Sequence, residues 1–227
     1  ACDTYTWNGV TYGNSGVYAY LPEFMQLGQN IDGETSDDNS GWSVATSSDG
    51  NTVAIGAHRN DGNGSNSGHV RIYHYNGASW NQLGNDIDGE ASGDYSGYSV
   101  SLSSDGSRVA IGAPLNDGNG TDAGHVRIYN YNGASWNQLG NDIDGESVLD
   151  ESGWSVSLSS DGNTVAIGAY LNDGNGTDAG HVRIYNYNGA SWNQLGNDID
   201  GEAVLDESGY SVSLSSDGNT VAIGAYL

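Results

Sequence analysis

The chain has 227 residues, with 29 acidic side chains against five arginines and no lysine, a formal net charge of −24. So large a negative excess excludes a surface for nucleic acid or for anionic membrane, and it favours cations, whether bound or only screening. Glycine fills 36 positions and aromatics make up 10%, mostly Tyr and Trp, which suits many short strands and tight turns, while the regular spacing of apolar positions excludes disorder.

Residues 1–15 form a segment of their own, read as the remnant of an upstream surface module. It holds Cys2, the single cysteine, so no disulfide forms within the chain and the redox compartment is not set by it. From residue 16 onward the chain is a tandem repeat. Val17–Tyr20 and Phe24–Gly28 match the third and fourth strands of a unit whose first two strands are missing there. Gly41-Trp42-Ser43-Val44 then opens a unit that starts again at Gly97, Gly153 and Gly209, each start lying 56 residues after the last. In the second unit strand A is Tyr98–Leu102, with Tyr98, Val100 and Leu102 alternating with serines. Strand B is Arg108–Ala113, strand C His125–Tyr131, and strand D Trp136–Leu139 with an extension towards Ile143. Gly and Asn/Asp-Gly turns separate them, and no window has helical periodicity. The last unit ends after its strand B, Val221–Ala225.

A long fixed period made only of short strands predicts an all-β fold, a β-propeller of four-stranded blades. The two ends are complementary. Residues 16–40 offer strands C and D, and residues 209–227 offer A and B, so four blades are expected, the last one made from both ends and hiding both open sheet edges. A fragment of a longer array is the alternative.

Antiparallel strand order sends the B–C and D–A loops to one face and the tight A–B and C–D turns to the other. The long-loop face carries nearly all the acid, in one repeat Asp117, Asp122, Asp142, Asp144, Glu146, Asp150 and Glu151. Binding usually resides on such loops. The candidate ligand-face acids are Asp88, Glu90, Asp144, Glu146, Asp200 and Glu202. The loop Asn116-Asp117-Gly118-Asn119-Gly120-Thr121-Asp122 offers hard oxygen atoms and flexible glycines, as calcium requires. Its candidate ligands are Asn116, Asp117, Asn119 and Asp122, with Asn172, Asp173, Asn175 and Asp178 in the next copy. The first copy keeps Asn60, Asp61 and Asn63 and has Asn66 in place of a carboxylate. The alternative is an Asn/Asp-Gly loop that satisfies its own backbone.

His69, His125 and His181 recur two residues before Arg71, Arg127 and Arg183. On a third strand they are expected to stay apart, making hydrogen bonds between blades, with each Arg paired to an acid of its own or the next blade. Trp80, Trp136 and Trp192 begin strand D. They are candidate stacking platforms for sugar, set against a packing role between blades. Trp42 and Trp154 exchange with Tyr98 and Tyr210 on strand A, which predicts core between blades. No Ser/His/Asp set and no nucleophile elbow stands out, so an enzyme is not expected.

Gly97–Gly106, then Val109–Pro114, then Gly124-His125-Val126-Arg127-Ile128-Tyr129 resemble the FG-GAP repeat, and Trp136-Asn137-Gln138-Leu139-Gly140 is similar to its bacterial variant. The resemblance spans residues 16–227. It implies a propeller, placement outside the cell or on its surface, and adhesion or ligand binding. The integrin-type calcium loop between strands A and B has no counterpart, because Ser103-Ser104-Asp105-Gly106-Ser107 carries too few carboxylates. Cys2–Tyr12 is similar to short modules of secreted Bacteroidetes-type proteins. The expected function is therefore a non-catalytic extracellular binding module, its partner a glycan or a protein, with no nucleic acid and no insertion into membrane. A purely structural spacer and a carbohydrate-active enzyme are the alternatives. No cofactor is expected beyond calcium.

Overall fold

The computed structural model describes residues 25–226, together with two short antiparallel strands, β1 (Tyr5–Trp7) and β2 (Val10–Tyr12). The first repeat forms β3 (Ser43–Thr46), β4 (Thr52–Ala57), β5 (His69–Tyr75), β6 (Trp80–Gln82) and β7 (Ile87–Asp88). The second forms β8 (Ser99–Leu102), β9 (Arg108–Ala113), β10 (His125–Tyr131), β11 (Trp136–Gln138) and β12 (Ile143–Asp144). The third forms β13 (Ser155–Leu158), β14 (Thr164–Ala169), β15 (His181–Tyr187), β16 (Trp192–Gln194) and β17 (Ile199–Asp200). The fourth contributes β18 (Ser211–Leu214) and β19 (Val221–Gly224), which pair with each other. Among the described residues no helix is long and apolar enough to cross a membrane.

Each complete sheet runs A-B-C-D, antiparallel throughout, as the turn chemistry predicts. Strand D differs from expectation because it is broken in two. β11 pairs with Tyr129–Tyr131 at the end of β10, while β12 pairs with His125 and Val126 at its start. The interruption follows Leu139, whose N–H still reaches the Ile128 carbonyl, and passes through Gly140 at φ +78°. The chain thus leaves the ladder and rejoins it nearer the long-loop end.

The period-2 pattern has a second consequence. On β9, Val109 and Ile111 point to one side and pack with Ala54, Val70, Ile72 and Ile87 of the preceding sheet. Ala110, between them, points to the other side and joins Val126, Ile128 and Ile143 against Leu158, Val165 and Ile167 of the following sheet. Both faces of the second sheet are therefore interior, each fully buried Ile or Val contributing about 1.5–3 kcal/mol. The strand-A serines face the next blade rather than water. Ser99 Oγ donates to the Gly153 carbonyl at 2.7 Å, and Ser101 Oγ accepts the Leu158 N–H at 3.0 Å. On the short-turn face Ser48, Ser104 and Ser160 each donate a backbone N–H to the residue 56 positions ahead. Repeats of this kind are held by such neighbour-to-neighbour seams.

Of the expected composite blade, the strand Val17–Tyr20 lies outside the described residues. Its fourth-strand segment is described in part. The Leu27 and Asp32 carbonyls accept hydrogen bonds from Trp80 Nε1 and Arg71, as Leu83 and Asp88 do from Trp136 and Arg127 one repeat later.

Candidate ligand-binding face

The B–C and D–A loops share one face and clamp each other. Asp94, almost fully buried, accepts the Ala91 N–H at 2.9 Å and Asn116 Nδ2 at 3.0 Å, while Asn116 Oδ1 accepts the Gly118 N–H at 2.8 Å. Asp38 with Asn60 and Asp150 with Asn172 repeat the arrangement. Burial of Asp38 would raise its pKa, but hydrogen bonds from Thr35 and Asn60 outweigh that and hold the carboxyl below its usual range. These aspartates are anchors that fix the loops rather than groups offered to a ligand.

Beside the clamp stands a row of aromatic rings. The A strands of successive sheets lie next to one another, and the ring just before each one meets its neighbour. Centroids are 5.5 Å apart for Trp42 and Tyr98, 4.5 Å for Tyr98 and Trp154, and 5.6 Å for Trp154 and Tyr210. His58, Tyr170 and Tyr226, at the mouth of the B–C loops, complete the row. These rings do touch across blades, as expected: Tyr98 and Trp154, with a described blade on each side, are half-buried, and Trp42 (54% exposed) and Tyr210, at the two ends of the described row, are exposed. Three residues before each ring sit Asn39, Tyr95, Glu151 and Glu207, all at φ between +52° and +57°. A non-glycine residue in that region is uncommon and marks a backbone held by its surroundings. Burial pushes the Glu151 carboxyl up from 4.5 to about 7, with the Tyr170 hydroxyl offsetting part of the rise and Asp122 adding to it.

The FG-GAP repeat pattern matches residues 31–73, 87–129 and 143–185, more than half of the chain. The chain belongs to the FG-GAP repeat family. No curated protein matches its sequence. Among solved structures it is similar to a candidate 6-phosphogluconolactonase from Bacteroides uniformis, with 12% identity, a TM-score of 0.53, and coverage of 80% of this chain and 46% of that one. A second, from Bacteroides fragilis, has 10% identity, a TM-score of 0.50, and coverage of 79% and 40%. At such identities the likeness is one of fold alone, and the chain spans less than half the length of either protein.

Within the FG-GAP repeats the loops read for calcium are fixed in part by their own polar atoms and in part by the neighbouring D–A loop. Asp61, Asp117 and Asp173 accept the backbone N–H of residues 66, 122 and 178. Asn63, Asn119 and Asn175 donate to the carbonyls of Gly89, Gly145 and Gly201. The tight A–B turn is likewise closed on itself, with Asp105 accepting from Ser103 and Ser107. The Trp80, Trp136 and Trp192 rings pack in the seams as half-buried plugs, each indole N–H donating to the carbonyl of Leu27, Leu83 or Leu139. Trp192 also lines an open cleft with Asp142, Asp144 and Tyr185.

The ligand-face acids divide. Glu90 Oε1 lies 3.3 Å from Arg127, and Glu146 Oε1 3.4 Å from Arg183, so each arginine pairs with the blade before its own. The backbone carbonyls of Asp88 and Asp144 accept from the same two arginines. Asp200 and Glu202 line an open cleft of about 330 Å³ with Ile199, Ile223 and Ala225. Sequence reasoning missed the open aromatic row, because the Trp/Tyr exchange at strand A looks the same whether the rings are covered or bare.

Proposed function

We propose that this chain is a non-catalytic ligand-binding module that takes a neutral glycan on its long-loop face. The observation that carries the reading is the row Trp42, Tyr98, Trp154 and Tyr210, whose rings stay partly open beside carboxylates on a rigid scaffold. Partly open rings give apolar sugar faces something to pack on, and Glu151 and Glu207, partly exposed three residues before two of the rings, are the carboxyl groups available to sugar hydroxyls. A net charge of −24 disfavours anionic polymers. Two further residues support an outward role for this face. Leu149 and Leu205 stand exposed in the D–A loops with φ of +69° and +68°, a conformation uncommon for a non-glycine residue. Placement outside the cell, which the repeat resemblance implies, belongs to the same proposal.

A glycan array, followed by titration of hits against tryptophan fluorescence, tests it. Trp42→Ala removes an exposed ring with little cost in stability and is expected to weaken binding about tenfold, or ~1.4 kcal/mol. Absence of any glycan hit, or hits indifferent to Trp42→Ala and Tyr98→Ala, would leave the structural spacer as the better reading.

A further inference from the structure

A second set of polar side chains lies away from the aromatic row, in the seams between consecutive blades. His69, His125 and His181 are almost completely buried at the start of strand C. Each faces an aspartate of its own blade and a glutamate of the preceding one, giving Glu34–His69–Asp86, Glu90–His125–Asp142 and Glu146–His181–Asp198. The histidine lies 35 residues after its glutamate and 17 before its aspartate every time. The His Nδ1 to Asp Oδ2 distances are 3.7, 3.8 and 3.9 Å, and His69 Nδ1 is 3.9 Å from Glu34 Oε2.

These separations are too long for hydrogen bonds and too short for indifference. Among the described residues His69 Nδ1 is buried with no hydrogen-bond partner and faces both carboxylates, while at His181 the unpartnered ring atom is Nε2. A buried polar atom left so costs about 1–3 kcal/mol unless something occupies the gap. In a tetrahedral zinc site with bonds of 2.0–2.1 Å, neighbouring ligand atoms sit about 3.4 Å apart. The His–Asp pairs would have to close by about 0.3–0.5 Å to reach that spacing, and the remaining pairs, all within 4.8 Å, by up to about 1.4 Å. The aspartate is already aimed: its Oδ1 is held by Gln82, Gln138 or Gln194, leaving Oδ2 for the histidine side. The glutamate is aimed likewise, with Oε1 on the arginine. Burial first, then the neighbouring arginine, holds His125 and His181 below the ordinary imidazole value, so they stay neutral, the form that ligates. For His69 burial again dominates, with Asp86 pulling the other way.

We propose that each seam holds a divalent transition-metal ion of the zinc class, bound by the histidine Nδ1, the aspartate of the same blade and the glutamate of the blade before, with water completing the shell. One imidazole and two carboxylates suit zinc or cobalt better than calcium or magnesium, which prefer all-oxygen shells. Each ion would tie two blades together, so binding and stability are linked.

The test uses the full chain with Cys2→Ser, since the lone thiol is itself a zinc ligand. Calorimetric titration of metal-stripped protein with zinc chloride is expected to saturate at three equivalents and to raise the melting temperature, with magnesium at equal ionic strength doing neither. Cobalt(II) is expected to give visible ligand-field bands. The histidines are buried and their replacement risks misfolding, so the decisive variant is Glu34→Gln, Glu90→Gln, Glu146→Gln, at half-exposed glutamates. It should still fold, its own metal-free melting profile serving as the baseline because Arg71, Arg127 and Arg183 lose a charged partner, and it should weaken zinc binding by more than about tenfold. The proposal is overturned by a metal-free protein that takes up no saturable zinc. Zinc uptake unchanged in the triple variant overturns it equally.

Discussion

Glu151 and His58 occupy related places in the aromatic row, and burial moves their proton equilibria in opposite senses. Glu151 is raised to about 7, so the folded state holds its proton where the unfolded chain has lost it. Its contribution is present below pH 4.5 and is lost as pH rises through 7. Burial, and then Arg59, lowers His58 from 6.5 to about 4. Its contribution is complete above pH 6.5 and is lost as pH falls towards 4. Glu151→Gln is therefore expected to raise the melting temperature more at pH 8 than at pH 5, checked by thermal melts across that range. An equal gain at both would mean that the carboxyl is not buried as described. The wild-type protein should lose stability on acidification from pH 6.5, since His58, His69, His125 and His181 are all lowered.

Each seam between blades depends on one glycine per strand B. At Gly112 an added Cβ would lie 2.1 Å from the Gly153 carbonyl oxygen, and Gly56 and Gly168 meet Gly97 and Gly209 in the same way. That obstacle is backbone and cannot swing aside. Gly112→Ala should cost more than about 2 kcal/mol, through overpacking that pushes two blades apart. Gly133, in the C–D turn, has φ +95° and open space around it. Gly133→Ala then carries only the backbone penalty, about 1 kcal/mol. Chemical denaturation of the two variants side by side tests the difference, and equal costs would remove close approach as the reason for glycine on strand B. Strand spans and the antiparallel order were legible in the alternation and the turn residues. The split of strand D was not, because Trp136–Gln138 and Ile143–Asp144 pair with different ends of the same β10 and no local pattern records that.

Across the molecule 29 acids face only five arginines, and four of those arginines are engaged between blades, Arg71, Arg127 and Arg183 with glutamates and Arg108 with Gly162 and Asn163. Mutual repulsion on the long-loop face reaches about 30 Å at 0.01 M salt and about 10 Å at 0.1 M. Sodium chloride is therefore expected to raise the melting temperature over that interval. Because Asn116 and Asn172 spend Oδ1, and Asp117 and Asp173 one carboxylate oxygen, on the backbone of their own loops, calcium should add no more than magnesium at matched ionic strength. A rise specific to calcium would assign the ion to those loops after all. Differential scanning calorimetry in the three salts makes the comparison.

Repeat length, strand content, turn positions and the acidic face follow from the sequence alone. They rest on period-2 alternation, glycine turns and net charge, all of which are local or additive along the chain. The pairing of Arg71, Arg127 and Arg183 with the blade before their own, and the meeting of histidine, aspartate and glutamate from positions 35 and 17 residues apart, belong to the tertiary structure. So do the serine hydroxyls turned to the next blade and the open row of strand-A rings. The physical reason is that a sheet's alternation says which residues share a side, but not what covers that side. In this fold both sides of every inner blade are covered by neighbours, and only the stacking of one sheet on the next decides which polar groups are trapped in a seam and which rings remain open to solvent.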